Sequence, residues 1–525
     1  MSMTIDIPGA LERLMSGGLS DMRRVREREL HVSVDRQMLP RLTGVLCGEL
    51  ECQLLLMTAE DRRAVTGEFC VHALFGHHRQ GWFVHVTAIV PGSDPVLPSS
   101  AMSCYPASRF EREMRDLMGI TPQGHPDPRP LARHGFWPDG YYPLRKDARA
   151  PTFRDEGQPF PFGEVEGVGV YEIPVGPVHA GVIEPGHFRF SALGETVIDV
   201  KQRLYYTHKG TEKLFEGRVP AAGVELAERI SGDSAVGHAL AFCEAAEALA
   251  GADVPRRAQL TRIVLLELER LYNHVGDFGA IIGDTGFAVA QAHCLRIRER
   301  FLRLNARVTG SRLLKGGVVL GGVACDITDG LGLAGEVSAA LQDFVEVSDI
   351  CLENSLVTDR LDRTGVLDTR TALDLGVRGH VARASGVNVD ARRDYGRGQY
   401  EGLSFDVPVM TSGDVRARLL IRLAEAKQSA GLIRQAVQVL PSGPLSVQVG
   451  ALPAFEAGFG IVEGWRGAIV HWMMADRAGR LHRVKVVDPS FLAWPALSRA
   501  MVGNIVPDFP LCNKSFNLSY SGNDL

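Results

Sequence analysis

Residues 228–238 read ERISGDSAVGH and lead into a helical pattern over 239–249. Arg229, Ser231, Ser234 and His238 gather its polar chemistry into three turns. Ser231 and Ser234 stand at i and i+3. That spacing puts two side chains on one helical face and would let two thiolates grip one metal. Serine hydroxyls, however, are neutral and hard, and make poor ligands for a soft transition metal. On local sequence the stretch therefore reads as an N-cap and turn ahead of a helix.

Working outward, helical patterns dominate 225–440. Leu260, Ile263, Val264, Leu266 and Leu271 recur at helical spacing within 259–274. Further helices are predicted over 294–308, which is strongly basic, over 337–352, and over 414–440, read as the longest. A bundle of four long helices is the natural way to bury such faces. After it, 468–475 and 481–487 predict a β-hairpin around Arg477–Arg480, and 506–525 reads as a polar, loop-like tail. Before it, 171–176 predicts a strand. His179 and His187 follow, with Gly181, Pro185 and Gly186 between them. These imply a hairpin-like turn that brings both imidazoles to one side, with 188–190 and 197–200 as its strands. Each histidine is either hydrogen-bonded structure or a group used near neutral pH. The stretch 208–217 predicts an amphipathic helix. Gly316-Gly317 and Gly321-Gly322 have neither the lysine of a phosphate loop nor G-x-G-x-x-G spacing, so no element is expected to bind NAD directly.

Residues 1–145 read as a smaller α+β unit. Helix or turn is expected at 10–14 and at 21–30, and strands at 31–34, 53–58 and 82–89. A helix over 110–118 should carry Glu111, Arg112, Glu113 and Arg115 on its solvated sides. Six prolines and three glycines over 121–143 forbid long regular structure and suggest an ordered docking surface. The polar stretch 148–161 reads as linker.

The totals exclude several classes. With 525 residues there is room for two or three domains. A net charge of -5 gives no reason to expect nucleic acid as a partner. No apolar run is long enough to cross a bilayer, and MSMTIDIPGALERLM lacks the order of a signal peptide. The expected place is the cytoplasm, including the cytoplasmic face of a membrane complex. Cys47, Cys52, Cys70, Cys104, Cys243, Cys294, Cys325, Cys351 and Cys512 form no C-x-x-C pair. That argues against a disulfide framework and against iron–sulfur or zinc sites built from local cysteine pairs; most read as small buried hydrophobes.

Two resemblances organise these pieces. Glu111-Arg112-Glu113, Asp116-Leu117, Gly119-Ile120, Gly124-His125-Pro126-Asp127 and Leu144-Arg145-Lys146-Asp147 resemble the signature of the 30-kilodalton subunit of respiratory complex I. In that family the module is structural and carries no cofactor. From Ile173 onward the chain resembles the large subunit of membrane-bound NiFe hydrogenases of the formate hydrogenlyase branch, related to the 49-kilodalton subunit of complex I. The matching pieces include Gly176-Pro-Val-His179, Pro185-Gly-His187, His208-Lys-Gly-Thr-Glu-Lys213, Glu228-Arg229, Arg262 with 267–274, Asp390, Arg418, Arg422, Glu463 with Arg466-Gly467, and Pro489-Ser-Phe491. The fold implied is α+β: a 30-kilodalton-like domain over 1–147, a linker over 148–170, then a helical-bundle hydrogenase-like domain with β-hairpins over 171–525.

The departures bear on function. In the resembled family, four thiolates from R-x-C-G-x-C and D-P-C-x-x-C motifs hold nickel and iron. Those positions fall here on Ser231, Ser234, Ser519 and Gly522, and the chain stops at Leu525 without the extension removed after metal insertion. The resemblance thus implies no metal, no NiFe centre and no hydrogenase activity of its own. In the complex I branch a quinone sits between a histidine, matching His187, and a tyrosine whose position is Gly232. Expected contributors are His187, His179 and Arg466 as catalytic groups, and His187, Arg229, Asp233 and His238 as the wall of a degenerate cofactor cavity. Arg229 is expected to pair with Asp233, and Arg466 either to pair with Glu463 or to face the cavity. Expected partners are an iron–sulfur small subunit and antiporter-like membrane subunits, and the former metal cavity is expected to be either a redox site for a quinone-like acceptor or a conformational relay coupling redox chemistry to ion transport. The alternative is a non-catalytic scaffold between those subunits.

Overall fold

A computed structural model describes residues 6–154, 157, 159–396 and 398–525. The first unit opens with helix α1 (Ile7–Leu14). It continues with strands β1 (Leu19–Arg26), β2 (Glu29–Val34), β3 (Gln53–Asp61), β4 (Glu68–His77) and β5 (Trp82–Pro91), and with helix α2 (Tyr105–Met118). The strands form one sheet in the order β1-β2-β5-β4-β3, parallel only between β2 and β5. The expected helix or turn at 21–30 is instead the β1–β2 hairpin. Its exposed, charged strand lies at the edge of the sheet, where charge discourages pairing with other chains and hides the strand signal. β3 and β4 are buried along both faces.

The charges of α2 are also placed differently from expectation. Glu111 is 1% exposed and Glu113 5% exposed. Glu111 accepts from the Ser99 hydroxyl and the Ser100 N–H, both at 2.6 Å. Arg112 and Arg115 donate to the carbonyls of Arg129, Pro130 and Pro128. The proline-stiffened segment is thus folded back onto its own helix. The docking surface faces inward: Lys485 of the second unit reaches Glu113 at 2.6 Å.

Between 148 and 169 the described residues form no helix or strand. The second unit opens with a sheet of β6 (Val170–Val175), β7 (His187–Leu193) and β8 (Thr196–Arg203), in the order β8-β7-β6. The helices α3 (Ala235–Ala250), α4 (Arg256–Asp284), α5 (Ala288–Thr309), α6 (Gly330–Glu353) and α7 (Val415–Gln438) follow. The longest is α4, with 29 residues against 24 in α7. The helix expected over 208–217 is confined to Thr211–Phe215, because His208 and Lys209 instead bind the segment 521–525.

A final sheet, β9 (Ala457–Gly464), β10 (Gly467–Ala475) and β11 (Leu481–Val487), lies between the two units. Side chains alternate across a strand. Trp472 on β10 packs 4.7 Å from His72 of the first unit, while its neighbour His471 faces His238 of α3. Helices α8 (Pro489–Met501) and α9 (Phe509–Phe516) follow, then a short helix Tyr520–Asp524. The expected loop-like tail is therefore helical and buried: Asn523 and Asp524 are at most 1% exposed. The side chains of Asn523 and Asp524 are satisfied internally, with Asp524 accepting from the Thr207 N–H and hydroxyl, and Asn523 from Arg109.

Candidate functional site

Residues 228–238 form the turn that enters α3. Ser234 occupies the N-cap position but makes no capping bond; its hydroxyl donates to Asp233 Oδ1 at 3.2 Å. The cap comes from another helix. Glu269 of α4 accepts from the N–H of Val236 at 2.7 Å and of Gly237 at 3.0 Å. Burial pushes this carboxyl up to about 8, against the pull of the two amides. The local cap reading thus found the helix start but not the capping group.

The positions quoted from the two distant motifs converge. Ser231 Oγ lies 2.8 Å from Ser519 Oγ and donates to Asp233 Oδ1 at 2.8 Å. Ser519 caps the helix 520–524 by accepting from Gly522 N–H at 2.8 Å, and its own N–H donates to Ser490 Oγ. Gly522 is pressed against Asp488. A Cβ added there would stand 2.6 Å from the Asp488 Cγ.

Arg466 closes the cluster. Its guanidinium grips Asp233 bidentately, Nη1 to Oδ1 at 2.6 Å and Nη2 to Oδ2 at 2.7 Å. Nη1 also reaches Ser234 Oγ at 3.3 Å, Nε donates to the Asn517 carbonyl at 2.5 Å, and the group lies over the Trp465 ring at 3.9 Å. Trp465 Nε1 in turn donates to the Asp233 carbonyl. Burial works against the Asp233 charge, but Arg466 outweighs it and holds the carboxyl below its usual range. The partner expected for Asp233 was Arg229; that side chain points outward and pairs with exposed Glu225 at 2.9 Å. Arg466 does not pair with Glu463 either, since Glu463 receives Arg383 at 2.7 Å.

His238 is fully buried between Asp488 and His471, 3.1 Å from each. It lines the same neighbourhood through Asp488, which Gly522 also touches. His179 lies in the loop joining β6 to β7, and His187 opens β7. His187 Nδ1 meets the Gly176 carbonyl and His179 Nδ1 the Pro177 carbonyl, each at 3.1 Å. Both imidazoles thus hang on one turn of backbone. His187 Nε2 accepts from Arg189 at 3.3 Å, and its ring borders a cleft of about 690 Å³ that includes His134, Phe160, Phe162 and Tyr206. Tyr520 connects the two neighbourhoods, with its ring 6.3 Å from His179.

Behind Arg466 runs a buried chain of charge to which sequence reasoning assigned no role. Asn517 donates to Asp277, and Asp277 receives Arg422 at 3.1 Å. Glu425 receives His274 at 2.8 Å and Arg383 at 2.7 Å. Arg392 joins Asp390 at 2.7 Å to Glu267 at 3.1 Å. The available signal was in α4, where Glu267, Arg270, His274 and Asp277 recur at helical spacing, as only residues on one face do. Chemically, the cluster offers hydroxyls, a guanidinium–carboxylate pair and a relay of buried ionisable groups; soft anionic sulfur is not among the donors at Ser231, Ser234, Ser519 and Gly522.

The chain is similar to known proteins over most of its length. Residues 32–154 match the family model described as "Respiratory-chain NADH dehydrogenase, 30 Kd subunit", and residues 284–453 the one described as "Respiratory-chain NADH dehydrogenase, 49 Kd subunit". Formate hydrogenlyase subunit 5 of Escherichia coli (strain K12) is 31% identical, over 98% of this chain and 92% of that protein. An NADH-quinone oxidoreductase subunit of Thermus thermophilus is 32% identical, over 65% of this chain and 90% of that one. Among solved structures, a chain of the membrane-bound sulfane sulfur reductase, an archaeal respiratory membrane complex, aligns with a TM-score of 0.64. It is 27% identical and is covered over 99% of its length by 68% of this chain.

Proposed function

The chain belongs to the large-subunit family shared by membrane-bound hydrogenases and complex I-like oxidoreductases, fused to a 30-kilodalton domain, and from that membership we propose that it works there without a NiFe centre, coupling redox chemistry to its complex through a buried charged cluster. The supporting observation is the convergence of Ser231, Ser234, Ser519 and Gly522 around the Arg466–Asp233 pair. Three hydroxyls and a glycine cannot hold nickel and low-spin iron, which need anionic sulfur. A Cβ at 522 has no room beside Asp488.

In this reading the residues act as follows. Arg466 neutralises Asp233 and holds the two motif segments together. His238, between Asp488 and His471, and the chain through Asp277, Arg422 and Glu425 form ionisable links that respond to charge arriving at the cluster. His187 is the group that meets the acceptor. Its Nδ1 is tied to the Gly176 carbonyl, so Nε2 is the nitrogen that exchanges a proton with a reduced carbonyl oxygen of a quinone-type molecule in the aromatic cleft. The named activities of the relatives run from formate hydrogenlyase to NADH-quinone and sulfane sulfur reduction. The acceptor therefore varies on a common frame. Among the described residues no helix is long and apolar enough to cross a membrane. In this reading the chain sits peripherally on the cytoplasmic face of the membrane, between an iron–sulfur small subunit and antiporter-like membrane subunits.

Nickel analysis of the purified complex tests the first half. Stoichiometric nickel would overturn it. Quinone-dependent turnover tests the second: loss in His187→Ala with the complex intact supports an acceptor site at His187. Unchanged turnover, or none in the wild type, leaves the scaffold reading.

A further inference from the structure

A second constellation lies on the other face of the β9–β10–β11 sheet, in the first unit. Glu60 on β3 is the direct cross-strand partner of Cys70 on β4, and His72 follows Cys70 on the same face of its strand. All three are at most 2% exposed. Their donor atoms lie within 4.8 Å of one another, with His72 Nε2 3.6 Å from Glu60 Oε2. A fourth donor comes from the second unit: His482 on β11 places Nε2 3.2 Å from Glu60 Oε1.

Glu60 Oε1, His72 Nε2 and His482 Nε2 make no well-aligned hydrogen bond and face only one another across the Glu60 carboxylate. A buried polar atom without a partner is costly. Here three of them converge from two strands of one unit and one strand of the other. The surroundings orient them as ligands rather than as hydrogen-bonding groups. His72 Nδ1 meets His85 Nε2 at 3.1 Å. His85 thus engages Nδ1 and leaves Nε2 of His72 directed at Glu60. Ligating histidines are held in this way by a hydrogen bond from their second nitrogen. Glu60 Oε2 is occupied by Arg62 at 2.6 Å, which fixes the carboxylate and frees Oε1.

We propose that Glu60, Cys70, His72 and His482 form a structural zinc site that clasps the two units together. The donor set is one thiolate, two imidazoles and one carboxylate, a mixture that suits a borderline ion with tetrahedral preference. Tetrahedral zinc at bond lengths of about 2.0–2.3 Å needs ligand atoms roughly 3.3–3.6 Å apart. The Glu60, Cys70 and His72 atoms therefore draw together by about 1 Å on binding, and His482, already 3.2 Å from Glu60 Oε1, turns toward the other two by side-chain torsion. With four protein donors the site is closed, and its task is to hold rather than to catalyse. It is independent of the Arg466–Asp233 cluster, which lies beyond the sheet.

The test uses the full chain, stripped with a chelator and reloaded with Zn²⁺ or Co²⁺ alone. The expected result is a single zinc per chain by elemental analysis, and a cobalt form with tetrahedral d–d bands and a thiolate-to-cobalt charge-transfer band. Cys70→Ala should abolish the charge-transfer band. His482→Gln, at the more exposed rim, should weaken zinc binding about tenfold or more while leaving that band in place. If Cys70→Ala fails to fold, His482→Gln decides alone. A wild type that takes up no cobalt, or zinc binding that His482→Gln leaves unchanged, overturns the proposal.

Discussion

The Ser231 and Ser519 hydroxyls lie 2.8 Å apart although 288 positions separate them in the chain. This contact ties the turn entering α3 to the segment after α9. The Arg466 guanidinium spans the same two segments, through Asp233 on one side and the Asn517 carbonyl on the other.

Arg466→Ala should therefore cost stability where Arg229→Ala does not. The Arg466 side chain is 4% exposed and that of Asp233 36% exposed, so the loss is smaller than for a fully buried pair, about 2–3 kcal/mol. Arg229 and Glu225 are 53% and 74% exposed, and Arg229→Ala should stay within about 0.5 kcal/mol. Denaturant unfolding of the two variants measures both; equal effects would contradict the pairing.

Gly522→Ala should destabilise by about 1–3 kcal/mol, because the new Cβ meets Asp488 at 2.6 Å. Gly522→Cys should cost at least as much, whatever metal is supplied. A cysteine tolerated at no cost would show that the site has room for a ligand.

Glu269 should carry a proton at neutral pH. Burial lifts its folded-state value to about 8 from 4.5, so between those values the folded chain binds a proton that the unfolded chain has lost. Its contribution to stability is complete below about pH 4.5 and is lost as pH rises through about 8. A protonated-carboxyl infrared band that persists at pH 7, fades above pH 8 and is missing in Glu269→Gln would confirm this. The variant should also show a shallower fall in stability across the same window.

Lys485→Ala should cost about 3–5 kcal/mol, since it leaves two buried carboxylates, Glu113 at 2.6 Å and Glu212 at 3.0 Å, with less positive charge between them. Glu113→Gln in the same chain should recover part of the loss. A double-mutant cycle measures the coupling, and additive effects would exclude it.

Much of the architecture was legible because periodicity reports burial. The long helices, the β10–β11 hairpin and the strand entering the second unit all follow from apolar spacing. The order of motifs also located the segments that meet at Ser231 and Ser519. Partners were not legible. Asp233 lies four residues from Arg229, yet it takes Arg466, because the turn into α3 directs Arg229 to solvent and Asp233 inward. In α2 a run of charge reads as a solvated face, but Glu111 and Glu113 are buried by partners that no local pattern encodes. The tail misled for the same reason. Its polar residues are buried because Thr207, His208 and Arg109 supply the matching groups. The donors of the proposed zinc site carry no local signature, since they alternate along strands and come from two units.

The β9–β10–β11 sheet, with Trp472 turned to one unit and His471 to the other, makes the second unit complete the interior of the first. The family descriptions name the 30 Kd and 49 Kd pieces as separate subunits. Here a short connecting segment turns their encounter into an intramolecular event, at an effective concentration of roughly millimolar or higher. Equal stoichiometry follows automatically. The contact no longer has to overcome the loss of translational freedom, so it can accommodate desolvated charges such as Lys485 with Glu113 that a freely dissociating pair would bear at the expense of affinity.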